Sequence, residues 1–228
     1  MPECDTAVPA RHSSLLIRGA ERADYRAIRE VVIAAYAQYA GVLEPEMFSR
    51  YLADLLDLET HASYGRLLVA ETEEGIRGFA AFYPDASVQD VGLLSGWAGG
   101  RALAVHPDAR GHGVARALLA AAERLAVQAG APVFAFHTAS FMTSALSLYE
   151  RLGYRRAPEY DFDMAARYGG SGAVAARSVA FLRYLAPGVP EHQEDLMTTR
   201  IRNRRASTPA YYLARPASLW LAALAPRR

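Results

Sequence analysis

Apolar residues along the chain fall into short continuous runs and helical stripes, and their order predicts the elements. Leu15, Leu16 and Ile17 form a run too short for a helix, closed by Arg18 and Gly19, which predicts a strand. From Ala20 to Tyr39 the spacing changes to helical, with Ile28, Val32, Ala35, Tyr36 and Tyr39 on one face, and Gly41 supplies the stop. Pro45 starts a second helix to about Leu58, with Phe48, Tyr51, Leu52, Leu55 and Leu56 as its stripe. Two apolar runs, Arg66 to Glu71 and Ile76 to Tyr83, flank Thr72-Glu73-Glu74-Gly75 and predict a hairpin. The stretch from Pro84 to Gly100 is glycine-rich and gives no clear period. Ala102 to Val105 reads as a buried strand, followed by a helix to about Ala129 that stops at Gly130. Val133 to Thr138 is the next strand, Phe141 to Leu152 the next helix, and Tyr154 to Met164 and Ser178 to Tyr184 read as closing strands around a Gly169 to Gly172 linker. This order predicts an α/β fold with a mixed sheet.

Between the Ala102 strand and the helix after it lies Arg110-Gly111-His112-Gly113-Val114-Ala115. The first amides of a helix have no internal acceptor and sit at the positive end of its dipole, so strand, glycine loop and helix in that order make an anion site. Gly111 and Gly113 leave the approach clear of side chains. A nucleoside-triphosphate loop needs a Gly-Lys-Ser/Thr ending, and the chain contains no lysine. A dinucleotide fingerprint needs Gly or Ala at 116, where Arg116 stands, and an acidic ribose partner after the next strand, which is missing.

At 228 residues with about half of them apolar, the chain can bury a core of its own. A formal charge of +1 argues against a dedicated nucleic-acid binder. Cys4 is the only cysteine, which excludes an intrachain disulfide and a cysteine metal cluster. No run approaches the ~18 apolar residues of a membrane span, so the expected location is cytoplasmic. Residues 1–13 read as a loose arm, 14–186 as the folded domain and 187–228 as a tail. The tail has five prolines, a basic cluster at Arg200, Arg202, Arg204 and Arg205 and an apolar end, and its readings are a flexible extension, a homodimer or other oligomer contact, or a membrane-surface contact.

Two motifs carry a family resemblance. Arg110, Gly113 and Ala115, directly after Val105-His106-Pro107, fit Arg/Gln-x-x-Gly-x-Gly/Ala. Leu148-Tyr149-Glu150-Arg151-Leu152-Gly153-Tyr154 fits a Leu-Tyr-x-x-Leu-Gly-aromatic signature about 35 residues later. Over residues 15–185 the chain thereby resembles the GNAT superfamily of acyl-CoA-dependent N-acetyltransferases. The resemblance implies helices around a mixed central sheet, with a V-shaped splay between the fourth and fifth strands. It also implies acetyl-CoA, or another short acyl-CoA, as cosubstrate without a metal, and a small-molecule or protein amine as acceptor. Leu103, Ala104 and Val105 would pair with pantetheine. Arg110, Gly111, His112, Gly113, Val114 and Ala115, with Arg116 beside them, would hold the pyrophosphate. Tyr149 would protonate the departing thiolate, a task that suits a phenol of reference pKa ~10; its alternative role is core packing.

Two family positions depart from the pattern. Many members carry a Glu on the central strand where this chain has Gly99, and an Asn where it has Met142. The general base is therefore unassigned, with His106, His137, Glu44 and Asp85 as candidates. Tyr36, Tyr39, Trp97 and Phe141 are the candidates for the acceptor side of the cleft, with core packing as the alternative. A non-catalytic acyl-CoA binder is the rival reading.

Overall fold

A computed structural model of the chain describes residues 15–170 and 176–185. The expected N-terminal arm and C-terminal tail lie outside the described residues. The sheet runs in the order β1 (Leu16–Gly19), β2 (Arg66–Thr72), β3 (Gly75–Tyr83), β4 (Ala98–Val105), β5 (Val133–Ala139), β8 (Arg177–Tyr184) and β6 (Arg155–Arg156), with β7 (Phe162–Asp163) also on β8. All neighbours are antiparallel except β4 and β5. On one face lie α1 (Tyr25–Tyr36) and α2 (Pro45–Leu56), burying Ile28, Val32, Met47 and Leu55 against Val69 and Phe79. On the other lie α4 (Val114–Gln128) and α5 (Thr143–Arg151), packed over Phe82, Phe134 and Phe181.

The elements follow the sequence pattern with three corrections. The second helix stops at Leu56, because Asp57 accepts a bond from the Thr60 amide at 3.2 Å and thereby caps a new helix, α3 (Leu58–Tyr64). The stretch read as one strand from Tyr154 to Met164 is two strands of two residues separated by a 3-10 turn at Pro158–Tyr160, where proline has no amide to give to a ladder. Residues 164–168 form a short helix, α6, capped by Asp163, whose side chain accepts from the Ala165 amide at 2.8 Å.

Two features of β4 set the site. Its pairing with β5 covers only Ala98–Gly100 against Phe134–Phe136, although both strands run on. Beyond that point the strands part, leaving a V-shaped opening. Against β3, Phe79 faces Ala104 but Ala81 faces Arg101, so β4 carries one extra residue. Ala102 absorbs it at φ +56°, a left-handed conformation that costs an L-residue about 1–3 kcal/mol. The bulge re-aims β4 exactly where its partner leaves it. Helix α4 can reach this edge because Gly78 lets it come close: a Cβ there would lie 2.6 Å from Val114 and 3.0 Å from Leu118.

Candidate functional site

A cavity of about 240 Å³ occupies the opening between β4 and β5. One half is walled by Ala102–Val105 of β4, by Ala115, Leu118 and Leu119 of α4, and by Leu148 and Tyr149 of α5. The other half is walled by Tyr36, Tyr39, Tyr51, Arg101, Met142 and Tyr168.

At the mouth of the first half stands the glycine loop. Gly111 and Gly113 both have φ +80°, the left-handed region, and a Cβ on either would meet no neighbour within 4 Å. Glycine is required by the backbone turn, while the space in front of the loop is open. Gly113 is the N-cap of the 15-residue α4 and has no side chain to bond the first amides, which are left for an incoming anion. His112 and Arg116 are exposed beside it. Arg110 lines the cavity, and its guanidinium also donates to the Ala35 carbonyl at 3.1 Å, fastening the loop to the end of α1.

Tyr149 is 4% exposed and lies among Phe136, Phe181 and Tyr154, with ring centroids 4.6, 5.5 and 6.0 Å away. Burial, with a smaller contribution from the nearby phenols of Tyr36 and Tyr39, raises its pKa far above that of a free phenol. It is therefore a neutral proton donor that no ordinary pH ionises. The ring packs the core, and the residue also lines the cavity.

Of the four acceptor-side candidates, Tyr36 and Tyr39 line the cavity. Tyr36 donates a long bond to the Leu103 carbonyl, 3.4 Å, and burial pushes its pKa up to about 12. Phe141 does not line the cavity and stands behind Tyr39, 5.4 Å between ring centroids. Trp97 is elsewhere: 3% exposed, it packs on Tyr160 at 5.4 Å within a separate apolar cluster. It precedes β4 and faces the turn at residues 86–89, whose Ala86 amide bonds its carbonyl.

Gly99 faces the same turn. A Cβ there would lie 2.4 Å from the Gln89 side-chain nitrogen and 3.0 Å from the Ala86 methyl, so a side chain at that place would have to displace Gln89 and press on Ala86. Among the described residues no Asp or Glu lines the cavity. Asp85 caps the 86–89 turn through the Ser87 amide and accepts from Ser95, and His106 accepts from the Asp108 amide at 3.4 Å; neither lines the cavity, nor does Glu44. His137 does line it. Its Nε2 lies 2.8 Å from the Tyr160 carbonyl, and burial lowers its pKa to about 4.

The floor of the acceptor half went unrecognised in the sequence. Arg101, half-buried, forms an ion pair with Asp54 of α2, and the Tyr168 hydroxyl donates to Asp54 and accepts from Arg101, both at 2.8 Å. Burial, the largest single influence, would raise the Asp54 pKa, but Arg101, Arg167, the Tyr168 hydrogen bond and His61 together outweigh it and hold the carboxylate below its usual range. The available signal was one charge inside the otherwise apolar run Ala98 to Val105. Among the described residues no cluster of His, Cys, Asp and Glu is arranged to hold a metal ion, and no helix is long and apolar enough to cross a membrane.

Comparison with known proteins agrees with this geometry. The family description "Acetyltransferase (GNAT) domain" matches residues 63–156, which include the whole of β4, the glycine loop and Tyr149. No protein curated for function matches. Among solved structures, a GNAT-family acetyltransferase from Desulfovibrio desulfuricans is 19% identical with a TM-score of 0.56, covering 76% of this chain and 100% of its own. YncA of Salmonella typhimurium, solved with acetyl-CoA, is 19% identical with a TM-score of 0.53, covering 78% and 98%. PaiA N-acetyltransferase of Thermoplasma acidophilum, solved with coenzyme A, is 14% identical with a TM-score of 0.56, covering 75% and 99%.

Proposed function

We propose that this chain, which carries a GNAT acetyltransferase domain and has the GNAT fold, transfers an acetyl group from acetyl-CoA to a primary amine by direct attack within the β4–β5 cleft. The observation that carries the reading is a convergence: parted strands, uncapped helix amides and a buried neutral phenol all border one cavity. In this reading the pyrophosphate binds the amides around Gly111–Ala115, and the pantetheine arm pairs with β4 at Leu103–Val105. The amine attacks the thioester carbonyl carbon, a β4 amide stabilises the oxygen as charge develops, and the carbon–sulfur bond breaks. Tyr149 gives its proton to the thiolate, and the proton lost by the amine returns the phenol to its starting state. No enzyme nucleophile is needed.

The acceptor must react as the free amine. With no carboxylate among the described residues of the cavity wall, the ammonium proton leaves to water or to His137, a weak base at a pKa of about 4. Acetyl-CoA is a cytoplasmic metabolite, and the reading carries that location with it. The same missing carboxylate favours a second reading, a non-catalytic acyl-CoA binder. Incubating the protein with acetyl-CoA and a broad panel of amines, and following release of free thiol, separates the two. The catalytic reading expects amine-dependent release; binding of acetyl-CoA with no release by any amine would leave only the binder.

A further inference from the structure

The half of the cavity walled by β4, α4 and α5 runs deeper than a cofactor arm paired at Leu103–Val105 requires. Past Leu118 and Leu119 it continues on the α4 side of the sheet to Ala80, Gly100, Ala122 and Phe134, and none of these six carries a polar side-chain atom. Leu118 and Phe134 are 0% exposed and Ala122 is 3%, so this arm ends in the interior. Its direction follows from the elements. On α4, Ala115, Leu118, Leu119 and Ala122 fall on one stripe that leads inward from the glycine loop. On β4, Gly100 lies three residues before Leu103, up to about 10 Å further along the strand.

The backbone opens this space. The β4 bulge leaves Ala80 without a partner between the pairs Phe79–Ala104 and Ala81–Arg101. Gly100 is paired with Phe82 on one side and Phe136 on the other, yet it keeps part of its surface exposed, because the cavity reaches it. The Phe134 ring lies across Gly100, where a Cβ would be 2.9 Å from its tip, and closes the end. Protein interiors pack closely, and a void lined only by carbon stays dry. Larger side chains at Ala80 or Ala122 would fill this one, so its position in line with the β4 edge and Tyr149 indicates a ligand group made of carbon. In the acetyltransferase reading the acceptor comes from the opposite face, past Tyr36, Tyr51 and Tyr168. The group that reaches the arm is then the one carried on the donor's sulfur.

We infer that this arm is an acyl-chain site, and that the protein holds an unbranched acyl group of the size of butyryl in preference to acetyl, with the alkyl tail between Ala122 and Phe134. The inference rests on the acetyltransferase reading for where the thioester sits, but chain binding is measured without turnover. Calorimetry in the absence of any amine would compare coenzyme A, acetyl-CoA and butyryl-CoA. Each buried methylene contributes about four-fold in affinity, so butyryl-CoA should bind about ten-fold or more tightly than acetyl-CoA. Ala122→Leu places a branched side chain in the arm. It should bind coenzyme A and acetyl-CoA as the parent protein does and lose the gain for butyryl-CoA; Ala80→Val repeats the test on β3 should Ala122→Leu fail to fold. Butyryl-CoA binding no tighter than acetyl-CoA, or a gain that survives in a folded variant, would overturn the inference. So would a folded variant that weakens coenzyme A itself, which would make the arm part of the pantetheine path. Tighter binding of butyryl-CoA without thiol release from either acyl-CoA by any amine would instead sink the catalytic reading and leave the acyl-chain site standing.

Discussion

The guanidinium of Arg110 donates to the carbonyl of Ala35 at 3.1 Å, and the residue after Ala35 is Tyr36, which reaches the Leu103 carbonyl of β4. Through this bond the loop that faces the cofactor and the helix end that walls the acceptor half hold each other in place. Arg110→Ala removes a charge-assisted bond of about 1.5–3 kcal/mol. It should raise KM for acetyl-CoA and for the amine together, each by about ten-fold. Steady-state kinetics in both substrates would check this. A rise confined to acetyl-CoA would mean that Arg110 acts on the anion and not on α1.

Gly113→Ala meets no steric neighbour but must hold φ +80°, at a cost of about 1–2 kcal/mol for an L-residue. The chain should relieve this by turning the first amides of α4 away from the anion. Affinity for coenzyme A should fall about ten-fold or more, with a melting temperature only a few degrees lower. Unchanged affinity would show that the loop amides are not the anion site.

Asp54→Asn leaves the Arg101 guanidinium charged and unpaired in the interior. Breaking such a pair from one side costs about 3–5 kcal/mol, whereas removing both charges costs much less. Urea denaturation should therefore find Asp54→Asn less stable than Asp54→Asn/Arg101→Gln. The reverse order would mean that the pair is solvated well enough to tolerate a lone charge.

His61 and His137 both have pKa values lowered to about 4 by burial. His61 also has the Tyr83 hydroxyl 2.6 Å from its Nδ1, while its buried Nε2 has no partner. Between pH 6.5 and 4 the unfolded chain binds protons at these imidazoles that the native chain refuses. Stability should fall through that window by up to about 1.4 kcal/mol per pH unit for each imidazole. Unfolding midpoints at pH 7 and pH 5 would measure the slope, and His61→Gln should flatten it; an equal slope in the variant would remove His61 from the explanation.

The parts of the site legible in the sequence are those built from contiguous residues. The glycine loop declares itself because Gly111 and Gly113 are both required at positive φ and lie next to their helix. Tyr149 is fixed by its place three residues before Leu152 in a helix that ends at Gly153. Parts assembled from distant segments gave no local sign. Arg101, Asp54 and Tyr168 come from β4, α2 and α6 and meet only after folding. Trp97 takes its core alternative: an aromatic beside a glycine-rich strand start suits a cleft wall and a core equally, and the 86–89 turn that buries it has no readable period. The Gly99 departure is visible in the sequence, but only the fold shows its surroundings: a Cβ there would meet the Gln89 side chain and Ala86.

The central claim is that Tyr149 acts as an acid on a thioester bound between β4 and β5. Its raised pKa keeps the proton in place as pH rises, so turnover should show no alkaline fall from this group up to pH 10. Replacing it by phenylalanine keeps the ring contacts with Phe136 and Phe181 and removes only the hydroxyl. The most direct test measures kcat and coenzyme A affinity in Tyr149→Phe. The account predicts a fall in kcat of about 10²-fold or more with affinity and melting temperature little changed. Undiminished turnover would contradict it.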